Sequence, residues 1–459
     1  MRLYCLCMTI FLTLAIFGDA LQYRSDQLGK WPHSHHESNR DWFSDILQDV
    51  DKSPQHLHPV LNEFQHLIET TPRLFMLFES MFRNVPCKGR YTHQINGKPQ
   101  IRDYEHMLKV LNRIIGTAPT YSERENRMNF VGVPINTILN WPIGTHSGFA
   151  AFIDPDVNAM IRKVLDVWSG FLQSPQSAYV LGNSSTDWFG PTGLHDLQVV
   201  GNIGQTNHSF DELFVCDPTA PHRGYKSWDD YFTRLFRPGI RPVAAPGNDS
   251  VIVNSCESKT YNVQRNVKGR DLFWVKDEPY SVLDMLGGDP MTDQFIGGTI
   301  YQAFLSALSY HRWHAPVSGR IVKAYTINGT YYSEPPYIDL VNERNHSYYN
   351  GHNLYDGQNI IAAQSYLTSM ATRAVIFIEA DNPAIGTMAF IGVGMAEVST
   401  CDITVKEGDH VTKGDQIGMF HYGGSTHCLL FRDEVNVTGF PEKGQDYNVP
   451  VRGQLAVVQ

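Results

Sequence analysis

From Val60 to Leu172 apolar residues recur every three or four positions. Val60, Leu61, Phe64, Leu67 and Ile68 share one face, as do Leu74, Leu77, Phe78, Met81 and Phe82. The same spacing returns through Arg102 to Ile115 and through Val157 to Leu172. A period near 3.6 predicts amphipathic helices that bury one stripe against each other. After residue 250 the pattern changes to short β-branched and aromatic runs broken by Gly, Pro and Asn: Val251 to Val253, Gly319 to Tyr325, Ala374 to Glu379, Thr387 to Val393 and Ile403 to Val405. These predict strands. The fold class is therefore α+β, with a helical N-terminal half and a mostly β C-terminal half.

Punctuation between these blocks sets the expected boundaries. Residues 21–55 are polar and rich in His, Ser and Asp, with His33, His35 and His36 close together, and read as a flexible lead-in. A helical domain is expected over 56–180, and a connection rich in Gly, Asn, Ser and Pro over 181–224. Residues 225–459 then form the last domain. Ser227-Trp228-Asp229-Asp230 is a capping sequence that opens a short helix, closed by Arg237-Pro238. Arg234, Arg237 and Arg241 are open to two roles, meeting a substrate carboxylate or making structural ion pairs.

Composition narrows the function. With 459 residues and 42% hydrophobic content there is material for substantial cores. A net charge of −10 with dispersed basic residues argues against a nucleic-acid surface or a polybasic membrane patch. Residues 1–20 have the pattern of a secretory signal peptide: Arg2, an apolar stretch from Leu3 to Phe17, then Gly18-Asp19-Ala20. That stretch is short of the roughly twenty residues that span a bilayer, so no stable membrane anchor is expected once the leader is removed. Asn183, Asn207, Asn248, Asn328, Asn345 and Asn436 each head an Asn-X-Ser/Thr sequon, which fits a secreted or secretory-pathway glycoprotein. Cys87, Cys216, Cys256, Cys401 and Cys428 are scattered, with no disulfide framework or zinc spacing. Mostly buried thiols are expected, and no metal site.

The stretch with most chemical content is Phe420-His421-Tyr422-Gly423-Gly424-Ser425-Thr426, followed by Leu429-Leu430-Phe431. Two glycines allow backbone conformations in which the Ser425 hydroxyl turns onto the carbonyl carbon of Gly424. A serine so placed can attack its own chain.

Three segments in order, Asn254-Ser255-Cys256-Glu257-Ser258-Lys259, Tyr310-His311-Arg312-Trp313-His314-Ala315-Pro316 and Gly423-Gly424-Ser425-Thr426, resemble the phosphatidylserine decarboxylase family. The likeness covers roughly Tyr225 to the C-terminus, and the helical part resembles the extension of the family's fungal tryptophan-decarboxylase-like branch. The resemblance implies self-cleavage between Gly424 and Ser425, a pyruvoyl group formed from Ser425, and a retained fragment of residues 425–459. It implies His314 as the base, because an imidazole can accept and return a proton near neutrality. It implies a carboxylate on the other ring nitrogen, where the family's aspartate is replaced by Glu257. His311, Tyr331 and Tyr332 are candidates for substrate binding or proton donation, and Tyr337 could join Tyr331 and Tyr332 in an aromatic pocket.

The expected reaction is loss of carbon dioxide from an amino acid, tryptophan-like in kind, through a Schiff base on the pyruvoyl ketone. Two alternatives stay open: a phosphatidylserine decarboxylase, and a secreted binding protein that keeps the fold without processing. The turns around Val405 to Asp415 are similar to those of biotinyl-type barrels, read as structural because no carrier lysine sits in the usual setting. Gly392-Val393-Gly394 is read as a strand bend.

Overall fold

The helical periodicity is realised where the apolar stripe demands it. A computed structural model describes residues 40–53, 55–83, 101–121, 132–271, 280–333, 364–397, 400–422, 425–445 and 447–459. The expected leader, residues 21–39 of the lead-in with His33, His35 and His36, Cys87, Asn345, Tyr337 and the Gly423-Gly424 pair lie outside the described residues. The rest of that lead-in differs from the flexible segment expected: Arg40–Lys52 is helical, because Ile46 and Leu47 give it an apolar face to bury. The N-terminal helices are α1 (Arg40–Lys52), α2 (Pro59–Thr70), α3 (Pro72–Arg83), α4 (Tyr104–Ile114), α5 (Pro134–Ile143), α6 (His146–Phe152) and α7 (Pro155–Leu172). In α7, Asp154 caps the first turn by accepting from the Asp156 amide at 2.9 Å, and Pro155 takes the first helical position. Val157, Ile161, Val164, Trp168 and Leu172 then form its buried stripe.

The expected connection over 181–224 differs from the structure, which forms α8 (Pro191–Asn202) and α9 (Phe210–Leu213) there, followed by α10 (Trp228–Phe232). Two of its glycines, Gly193 and Gly201, are packing residues within α8. A Cβ on Gly193 would lie 2.6 Å from the Trp188 carbonyl, and one on Gly201 would lie 2.8 Å from Leu213. Trp188, Phe189, Leu197, Phe210 and Trp228 all belong to the same core as α2 to α7. The first core therefore continues past residue 180, through α10.

The β half contains β1 (Val251–Val253), β2 (Lys259–Arg265), β3 (Thr299–Leu305), β4 (Arg312–His314), β5 (Gly319–Ile327), β6 (Arg373–Ala380) and β7 (Thr387–Gly394). β8 (Thr400–Ile403), β9 (His410–Val411), β10 (Gln416–His421), β11 (Ser425–Phe431), β12 (Val437–Thr438) and β13 (Gln454–Val458) follow. Two short helices, α11 (Val282–Met285) and α12 (Gln364–Met370), are set among them. An antiparallel sheet runs in the order β2-β3-β11-β7-β6-β5-β9, with smaller sheets β4-β10-β8 and β1-β13-β12. Every residue of β11 is buried, which explains why its second half, Cys428 to Phe431, reads as a continuous apolar run instead of an alternating one. Leu429 and Phe431 enter a core on one face of the sheet, while Cys428 and Leu430 enter a core on the other.

Gly392 sits within β7, not at a strand bend. A Cβ there would come within 3.0 Å of the Trp313 ring, so the glycine admits the indole between β7 and β10. Cys216, Cys256, Cys401 and Cys428 are free thiols. No helix among the described residues is long and apolar enough to cross a membrane.

Candidate active site

Ser425 is the first residue of β11, the third strand of the large sheet, and is held on both sides. It lies opposite Leu305 of β3 and Gly394 of β7. The side chain is fully buried, and its hydroxyl has no hydrogen-bond partner among the described residues. A buried hydroxyl left in this state costs roughly 1–3 kcal/mol and remains available as a nucleophile.

β4 brings in the histidines. It runs antiparallel to β10, with Arg312 opposite Met419 and His314 opposite Gln416. The Phe420 amide donates to the His311 carbonyl at 2.9 Å, so the chain reaches Ser425 from the His311 end of this pairing. The register of this pairing shifts between Gln416 and Gly418 of β10, opposite His314 and Trp313. His311 is buried beneath Phe232 of α10, their rings 4.0 Å apart and 20° from parallel.

His314 is placed differently from the expectation. Its Nδ1 lies 2.8 Å from the Gly414 carbonyl and its Nε2 lies 3.1 Å from the Tyr310 hydroxyl. A neutral ring satisfies both contacts, with Nδ1–H donating to Gly414 and Nε2 accepting from Tyr310. Burial pushes this imidazole down to about 3, and the Arg452 guanidinium, 3.1–3.2 Å from Nδ1, adds to the shift against the opposing Gly414 carbonyl. Near neutrality it is uncharged.

Glu257 does not hold either ring nitrogen of His314. Its carboxylate makes a two-pronged pair with Arg241, at 3.1 Å to Nε and 2.5 Å to Nη2, and accepts from the Val451 amide at 2.8 Å. The next residue is Arg452, which meets His314 and also donates to the Gly414 carbonyl at 3.1 Å. Glu257 thus reaches the imidazole through the Val451–Arg452 backbone. The buried Arg241 outcompetes a neutral ring for a buried carboxylate, because opposite charges in a dry site must pair.

The other arginines are structural too. Arg234 donates to the Leu308 carbonyl at 2.7 Å, and Arg237 donates to the Cys216 carbonyl at 3.0 Å. Tyr331 and Tyr332 lie in the helical core. The Tyr331 amide donates to Asn158 at 3.1 Å, and Tyr332 packs edge-on against Phe152 at 6.4 Å.

The chain resembles known decarboxylases along most of its length. Family models described as phosphatidylserine decarboxylase match residues 58–197 and 228–453. Decarboxylase iboD of Amanita muscaria is 40% identical over 72% of this chain and 94% of its own length. The L-tryptophan decarboxylase of Psilocybe cubensis is 35% identical over 84% of this chain and 83% of its own. The chain belongs to the phosphatidylserine decarboxylase family. A further relative, phosphatidylserine decarboxylase proenzyme 3 of Schizosaccharomyces pombe, is 30% identical over 51% of this chain and 21% of its own length. The protein is accordingly a decarboxylase, built on the family's pyruvoyl-dependent domain.

Within this family setting, several polar residues had no role assigned from the sequence. Tyr310 was visible in the Tyr-His-Arg-Trp-His stretch, yet nothing linear shows that its hydroxyl caps His314. Asp229 was visible only as part of a capping sequence, although it pairs with His421 at 2.9 Å. His427 lies two residues after Ser425 on the same strand, fully buried between Phe390 and Tyr301. Burial pushes it down to about 3 against the Ala303 carbonyl, so it is also neutral.

Proposed function

We propose that this chain cuts itself between Gly424 and Ser425, turns Ser425 into the pyruvoyl group, and removes carbon dioxide from a free amino acid. The observation that carries this reading is the buried hydroxyl of Ser425, without a hydrogen-bond partner among the described residues, at the head of a strand clamped on both sides. In the proposed step Oγ adds to the Gly424 carbonyl carbon and gives up its proton. The C–N bond breaks, the nitrogen takes a proton, and an ester joins the two halves. Loss of the Ser425 Cα proton then expels the Gly424 carboxylate, and addition of water with loss of ammonia leaves a ketone.

His314 supplies the base in this proposal, in the neutral form favoured by its surroundings. An imidazole that binds protons so weakly transfers them slowly, which a reaction run once per chain tolerates. Glu257 positions Arg452, and through it His314. The fragment of residues 425–459 stays in place after cleavage because β11 lies between β3 and β7 while β13 pairs with β1. Once formed, the group supplies a ketone that condenses with a substrate amine and draws electrons as carbon dioxide leaves.

A free amino acid is favoured over a lipid by the extent of the likeness. The relatives named L-tryptophan decarboxylase align with 82–84% of the chain, and the first of the phosphatidylserine decarboxylases with about half. The leader pattern and the sequons support passage through the secretory pathway. The test is intact mass of the purified protein together with carbon dioxide release from tryptophan and from phosphatidylserine vesicles. Two fragments meeting at Gly424 and Ser425, with release from the amino acid, are expected. One uncut chain would refute processing, and release from vesicles alone would assign the lipid reaction.

A further inference from the structure

His421 and Tyr422 immediately precede the Gly423-Gly424-Ser425 segment, and one short helix grips both. Nδ1 of His421 lies 2.9 and 3.1 Å from the two carboxylate oxygens of Asp229 on α10. Its Nε2 faces Asp402 of β8 at 3.8 Å. The His421 and Asp229 side chains are only 13% and 10% exposed, so the pair is screened little by solvent.

One residue later the backbone turns left-handed. Tyr422 has φ of +50°, a conformation that costs a residue with a side chain about 1–3 kcal/mol and persists only where its surroundings enforce it. Here they do. The Tyr422 ring is fully buried, with centroids 5.8 Å from Trp168 of α7 and 6.2 Å from Trp228 of α10. Trp228 and Asp229 are adjacent, so α10 holds the tyrosine and the histidine together, and its Phe232 covers His311.

We propose that Asp229, His421 and Tyr422 form a positioning clamp for self-cleavage. The paired charges and the wedged ring fix the chain on one side of the cut, as β3 and β7 fix Ser425 on the other. The inference rests on self-cleavage at Ser425 and deepens it by giving the helical half a part in maturation. None of the three residues is assigned contact with the reacting atoms. Their contribution is restricted geometry, which is worth orders of magnitude in an intramolecular attack.

The clamp has a pH signature. Burial pulls the His421 imidazole down, but the hydrogen bond and charge of Asp229, joined by Asp402, outweigh it and leave the group above its ordinary value. Asp229 and Asp402 are the charged groups facing the ring, with the Tyr422 ring 6.1 Å away. The ion pair is intact below the raised folded-state value and is lost as pH climbs through it.

The experiment is a pulse-labelled, cell-free synthesis of the full chain, with cleavage followed on gels between about pH 5 and 9. Asp229→Asn and His421→Gln are expected to slow cleavage about ten-fold at neutral pH. Asp229→Asn should also move the alkaline decline to lower pH, and Asp229→Glu should restore most of the rate. Asp402→Asn, at a half-exposed site that tolerates change, should move the decline the same way by less. Wild-type rates in the Asp229→Asn and His421→Gln variants, or slowing without movement of the decline or rescue by glutamate, overturn the clamp. A wild type that never cuts refutes self-cleavage itself, and the clamp with it.

Discussion

The hydroxyl of Tyr310 lies 3.1 Å from Nε2 of His314, on the ring nitrogen that a general base needs free. With Nδ1 engaged by Gly414, the tyrosine closes off the remaining nitrogen. Tyr310→Phe opens it. We expect the variant to keep self-cleavage, and to lose about 1–2 kcal/mol of stability in denaturant titration because the buried acceptor loses its donor. Complete loss of cleavage would show that the phenol itself relays the proton.

Ser425→Ala is expected to give one uncut chain and no carbon dioxide release. Its stability should stay within about 1 kcal/mol of the uncleaved wild type, because the hydroxyl removed has no hydrogen-bond partner among the described residues. His314→Ala should likewise block maturation. Gel electrophoresis showing a small C-terminal fragment from either variant would sink the assignment of the nucleophile or of the base.

Glu257 neutralises Arg241 in a dry site, the two side chains being 1% and 6% exposed. Glu257→Ala leaves that cation buried alone and should cost about 3–5 kcal/mol in thermal or denaturant unfolding. Glu257→Asp keeps the charge and should keep some processing at reduced stability. A full-rate, fully stable Glu257→Ala protein would mean that Arg452 and His314 need no support from this pair.

Glu397 joins the two halves. Its Oε1 accepts from the Asn136 amide in the first turn of α5 at 2.7 Å, and the side chain is fully buried. Burial pushes the carboxyl up to about 7, against the backbone amides that favour its charge. A carboxyl raised on folding binds its proton better in the native state, so stability falls as pH rises from the unfolded value near 4.5 through about 7. Glu397→Gln copies the protonated form. It should match the wild type near pH 4, below the unfolded value, and exceed it by up to about 3 kcal/mol near pH 8, read as a flatter dependence of Tm on pH. An unchanged slope would place the titration elsewhere.

Periodicity was enough for the long elements because each has one buried stripe or face. The spacing from Val157 to Leu172 became α7, and the run from Thr387 to Val393 became β7, one residue longer. It failed over 181–224, where Gly193 and Gly201, residues of a kind that normally punctuates loops, sit inside α8 in close contact with Trp188 and Leu213. It also placed Thr404 and Val405 in a strand, whereas β8 stops at Ile403.

The α+β division followed from residue order, because the cores need particular periods. Which carboxylate meets which cation did not follow. In a buried site partners are chosen by pairwise distance and desolvation, so Glu257 went to Arg241 while Asp229 went to His421 across 192 positions of chain. Tertiary packing alone decided that His314 is neutral and that Tyr422 is held left-handed between two tryptophans.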